Sequence, residues 1–154
     1  MVHVPNVQMN DGGKRMIESC LVLGLLGVCS IEDIKSREIG VYKIYFLGIL
    51  GILLHIFSRK ISVYSILGGM LIGILILILG KLTGGSVGIG DGLILIDTGV
   101  LLGSVDNLKL FCGGIFLAGI AALILLVFFR KNKKYELPFI PFLFITYVGM
   151  LLCG

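Results

Sequence analysis

Charge is what this chain has least of. Only 14% of its 154 residues are Asp, Glu, Lys or Arg, against 57% hydrophobic residues and a mean hydropathy of +1.09. A water-soluble domain needs a polar surface that such a composition does not supply, so ordinary soluble folds are excluded. Length excludes more. A membrane bundle built from 154 residues leaves no room for a sizeable soluble domain, so residues 1–154 form one domain whose chemistry must lie in the bundle and its short loops.

Cysteine is sparse and its spacing is uninformative. Cys20, Cys29, Cys112 and Cys153 lie in apolar stretches without a CxxC pair. That excludes a zinc ribbon or a disulfide framework and leaves them as small packing residues. No metal or other cofactor is indicated. The glycine-rich stretch Gly84 to Gly92 has no Gly-Lys-Ser/Thr after it and no strand before it, which argues against a phosphate-binding loop. The formal net charge of +4 does not point to nucleic acid, because the basic residues fall in short loops between apolar runs, the pattern that orients a membrane protein. The partner this implies is the lipid bilayer.

What is present is a series of apolar runs: Met16 to Ile31, Val41 to Phe57, Ile61 to Gly80, Asp91 to Gly103, Leu110 to Phe129 and Leu137 to Cys153. Most approach the roughly 20 residues a helix needs to cross the hydrocarbon. The expected fold is an all-α membrane protein, a polytopic bundle of about six transmembrane helices, with the short fourth segment shielded inside. The first run follows Lys14-Arg15 but has no small-residue cleavage site, so it reads as a retained span and not a signal peptide. Gly69-Met70-Leu71-Ile72-Gly73 is a GxxxG pattern, which lets helix backbones approach closely.

Asp33 ends the first run and Asp91 begins the fourth. Two complete spans intervene, so both acids reach the same membrane face. If the fourth segment crosses, that face carries eight basic residues against five and is cytoplasmic by the positive-inside bias; if it does not, the count reverses. Of the nine acids, Asp11, Glu38, Asp106 and Glu136 lie in loops or at interfaces. Ionisable groups within spans are costly and mark functional sites, so Glu18, Glu32, Asp33, Asp91 and Asp97 are the candidates. Asp97 follows Asp91 by six residues, about 600° of rotation and roughly 9 Å of rise, so those two cannot pair. Glu18 is near the far end of its helix from Asp33. Asp33 and Asp91 are the pair a bundle could bring together.

Two close carboxyls resist ionising together and share a proton, so one can take a proton from water while the other donates one. Gly88-Ile89-Gly90-Asp91 would let an extended peptide come near; the plainer reading is a flexible loop with Asp91 capping a helix. Lone His55 reads as a packed or interfacial residue.

These residues resemble the type IV prepilin peptidases, intramembrane aspartyl proteases of the GxGD type. Gly88 to Asp91 matches the GxGD. Asp33-Ile34-Lys35-Ser36-Arg37-Glu38-Ile39 is similar to the family's other aspartate segment. Leu137-Pro138-Phe139-Ile140-Pro141-Phe142-Leu143 is similar to its late Pro-Phe-x-Pro-Phe segment. The three segments occur in the family's order and span nearly the whole chain. The sequence departs at Gly40, where Pro is usual, at Leu93, where Lys is common, and at Asp97, where a small residue is usual. It has none of the paired CxxC motifs of the larger members that also methylate their product.

The resemblance implies an endopeptidase in the cell membrane that cleaves the leader of a prepilin or pseudopilin-like precursor at the cytoplasmic face. Asp33 and Asp91 would activate water without metal or covalent intermediate, and Gly88, Gly90, Lys35, Arg37, Pro138 and Pro141 would support the motifs. Glu32 and Glu38 either attract a basic leader or balance Lys35 and Arg37, and the second is the simpler account. A different class also fits the acids: a small proton- or cation-coupled transporter or channel-like subunit using Glu18, Asp91 and Asp97.

Overall fold

The computed structural model describes residues 11–36, 42, 44–46, 48–49, 52–53, 62–83, 88–129 and 138–153. Its elements are the helices α1 (Asp11–Ser36), α2 (Val63–Leu82), α3 (Ile89–Phe129) and α4 (Ile140–Cys153); the described residues between 42 and 53 are helical as well. Arg37, Glu38, Gly40, His55, Gly84, Gly85, the side chain of Glu18 and the loop cations Arg59, Lys60 and Arg130 to Lys134 lie outside the described residues.

The all-helical fold agrees with the sequence, but a bundle of about six spans is not supported. Among the described residues two helices are long and apolar enough to cross a membrane, Val63–Leu82 and Ile89–Val127. Only 17% and 11% of their apolar windows are buried. A soluble protein's core helix would be mostly covered, so these surfaces belong in lipid. The second run, Val41 to Phe57, lies largely outside the described residues, and other runs fall short of a span. In α1 the uncharged stretch from Ser19 to Ile31 falls short of the roughly 20 residues a span needs, because Lys14, Arg15 and Glu18 precede it and Glu32 and Asp33 follow. At the other end of the chain, α4 has only 14 residues. The fourth and fifth runs are parts of one helical element, α3.

That element is sharply broken at Gly103, whose φ of 78° and ψ of −177° belong to a region that only glycine occupies cheaply. The bend is large. Asn107 Nδ2 donates to the carbonyl of Leu95 at 2.9 Å, yet twelve residues of straight helix would separate the two by about 18 Å. The chain therefore folds back on itself at Gly103.

α2 packs along α3 through glycine. Its buried residues are Gly69, Gly73 and Gly80, whereas Leu67, Leu71, Ile74, Leu75, Ile78 and Leu79 are exposed. A Cβ at Gly69 would lie 2.5 Å from the carbonyl oxygen of Gly99, and one at Gly73 would lie 2.5 Å from the nitrogen of Ile96. The GxxxG pattern is thus a packing seam, with backbones so close that no side chain fits between them.

The apolar core lies on the other side of α3. α1 presents Val22, Leu25, Leu26, Cys29 and Asp33 on one buried stripe at helical spacing, joined by Ile94, Leu95, Leu101 and Leu110 of α3 and by Ile140, Leu143 and Tyr147 of α4. α4 is wedged between α1, where a Cβ on Gly27 would lie 3.5 Å from the Phe144 ring, and the far half of α3, where Gly114 admits Leu143. Of the four cysteines only Cys29 is buried. Cys20, Cys112 and Cys153 are exposed, so packing accounts for one of them.

Candidate active site

Asp91 occupies the first turn of α3, three residues after Gly88. Its backbone N–H donates to the Gly88 carbonyl at 3.1 Å, and its carboxylate folds back to accept a hydrogen bond from the Gly88 backbone. This is half of a capping box: an acid at the third helical position satisfies the main chain at the helix start. A Cβ on Gly88 would stand 2.9 Å from Asp91 Oδ2, so a larger residue would push the carboxylate off its seat. The first glycine of the GxGD sequence therefore sets the carboxylate's position.

Asp33 lies in the last turns of α1, on its buried stripe, with 9% of its surface exposed. Its Oδ2 accepts the backbone N–H of Ile140 at 3.2 Å in a buried setting. Ile140 is the first residue of α4, where main-chain N–H groups have no partner within the helix. Pro141 brings no N–H of its own and suits the helix start. The side chain of Asp33 thus closes the N-terminus of α4, where the helix dipole favours an acid.

Asp33 therefore ties the end of α1 to the start of α4, and its charge acts on Asp91 at the start of α3. Of the other sequence candidates, Glu32 is half-buried next to Asp33 in sequence, and Lys35 is exposed in the last turn of α1. Gly90 is half-buried within α3, and Pro138 and Pro141 are half-buried at the entry to α4. Arg37 and Glu38 fall outside the described residues. Asp97 is buried on α3, away from the pair, and contacts Gly48. Among the described residues no three His, Cys, Asp or Glu side chains are grouped so as to hold a metal ion.

A second buried polar cluster escaped the sequence reading. Asn107 is fully buried; its Nδ2 donates to the carbonyls of Gly69 and Leu95, both at 2.9 Å, and its Oδ1 accepts the Thr98 hydroxyl at 2.7 Å. Ser65 Oγ, on α2, accepts the backbone N–H of Ser104 at 3.1 Å, just beyond the break. These groups supply the partners that the interrupted helix loses at Gly103. The signal available in the sequence was the pair of polar residues Thr98 and Asn107 on either side of Gly103.

Two carboxyls close enough to share a water can act as general base and general acid toward it. No protein-family model, curated protein or solved structure matches the chain.

Proposed function

We propose that this protein is a membrane-embedded aspartic endopeptidase that removes the leader of a prepilin or pseudopilin-like precursor. What supports the reading is the hydrogen bond from the Ile140 N–H to Asp33 together with the charge of Asp33 acting on Asp91, which links three segments that resemble those of one protease family. In the proposed reaction a water between the carboxyls loses a proton to the ionised aspartate. The hydroxide attacks the scissile carbonyl carbon, and the protonated aspartate supports the developing oxyanion. Collapse breaks the C–N bond as the leaving amine gains a proton, and the pair returns to its shared-proton state. The site would face the cytoplasm in a multi-pass protein of the cell membrane, with the substrate's apolar helix entering from the bilayer.

Glycine at 88 suits this chemistry, since it fixes the Asp91 carboxylate without a side chain to block an approaching extended peptide. The test is co-expression with a pilin precursor. Asp33→Asn and Asp91→Asn should each abolish leader removal, whereas Asp97→Asn and Glu18→Gln should retain most of it. Processing that survives either of the first two changes overturns the proposal. The competing transport reading requires pH-dependent ion flux in proteoliposomes that Asp97→Asn stops.

A further inference from the structure

Asp97 has no part in the proposed reaction, and its surroundings are unusual. It sits six residues beyond Asp91 on α3, about 9 Å further along the helix and on a different face. Only 7% of its surface is exposed, and its Oδ2 is buried with no hydrogen-bond partner. On the other side the carboxyl abuts Gly48, where a Cβ would come within 2.6 Å of Oδ1 and 3.3 Å of Cγ. The missing side chain at 48 makes the room that the carboxyl occupies.

Polar neighbours are already engaged. Thr98 and Asn107 bond to each other and to the carbonyls of Ile94, Leu95 and Gly69. Among the described residues, the charged and titratable groups on the surrounding elements lie elsewhere, and Lys43, near Gly48 in sequence, is outside the described residues. Asp33 of α1 acts on Asp91, Lys35 is exposed at the end of α1, and Lys81 is exposed at the end of α2. Tyr42 and Tyr45, on the described residues near Gly48, are largely exposed, and Asp106 is tied to Lys109 at 2.9 Å.

A buried carboxyl in an apolar setting is tolerated either with a cation or with a proton, because the bare anion loses several kcal/mol of hydration. A metal cation needs several oxygen ligands, and among the described residues no such group is present. A lone carboxyl can satisfy a proton. We infer that Asp97 is an intramembrane proton-binding site, a neutral carboxylic acid seated against Gly48 and independent of the Asp33–Asp91 pair. Its proton keeps the contact between α3 and residue 48 dry; losing it would require water to enter the seam.

This inference does not rest on the protease reading, and its test needs no catalysis. In purified full-length protein carrying Asp33→Asn and Asp91→Asn, infrared difference spectra with and without Asp97→Asn isolate the carboxyl at 97. The expected result is a protonated carboxylic C=O band at neutral and mildly alkaline pH that disappears completely in the Asp97→Asn background. A carboxylate band in its place at neutral pH overturns the inference. Gly48→Ala is the second probe: it crowds the carboxyl and should shift that band, and a band unmoved by Gly48→Ala in folded protein overturns the placement against Gly48. Because the catalytic aspartates are absent from both samples, failure here is distinct from failure of the protease proposal.

Discussion

Two buried polar regions lie on the same helix and differ in how completely they are satisfied. Around Gly103, Asn107 spends both amide hydrogens and its carbonyl oxygen, and Ser65 meets the N–H of Ser104. At the start of α3, two acids whose charges act on each other are held by main-chain N–H groups of Gly88 and Ile140. The first arrangement neutralises every group it buries and so stabilises the break in α3. The second places two acids where the charge of one acts on the other, each held by a main-chain N–H from another segment or the helix start.

The comparison is broken most severely at the acids. Asp33→Asn or Asp91→Asn should lower leader cleavage by at least about 10²–10⁴-fold, the range a positioned acid or base contributes, with the helical circular dichroism unchanged. Loss of fold in both would make the pair structural instead.

Gly69→Leu should have the next largest effect, this time on folding, because the seam with Gly99 has no volume to give. Overpacking of about 3 kcal/mol or more is expected, read as a lower thermal midpoint in detergent and a reduced yield of folded protein.

Asn107→Leu tests the satisfied cluster. It leaves the Thr98 hydroxyl with the Ile94 carbonyl but takes the amide donor from the carbonyls of Gly69 and Leu95, with an expected cost of about 1–3 kcal/mol. Cleavage per folded molecule should stay near the parent value; a large fall there would mean that the break in α3 also shapes the acidic site.

The smallest and most discriminating change is Ile140→Pro, which deletes the N–H held by Asp33 at a position where proline fits a helix start. Ile140→Ala removes comparable apolar volume and keeps the N–H. Relative to that control, Ile140→Pro should lower kcat by about tenfold with KM little changed, the loss expected of one hydrogen bond to a charged group. Equal kcat in the two variants would mean that the α4 N-terminus does not position Asp33.

Some of this was legible from residue types. Long apolar stretches with few charges require helices, because a chain in lipid must satisfy its own backbone. Gly69 and Gly73, one turn apart, require a close helix neighbour. The number of spans was not legible. Where α1 trades apolar residues for charges at both ends, hydropathy does not mark a full span, whereas the fourth apolar run ended at Gly103, where α3 breaks.

The sequence by itself determined the all-helical, lipid-facing character of this protein and the identity of its acids, because both depend on side-chain chemistry counted locally. Only the tertiary structure decided which chain stretches meet. The N–H that holds Asp33 belongs to the main chain of Ile140, the partner of Asp97 is the absent side chain of Gly48, and the reach of Asn107 back to Leu95 depends on one backbone angle at Gly103. Main-chain donors, empty volume and torsion angles carry no letter of their own in a sequence, and they become visible only when distant segments are packed together.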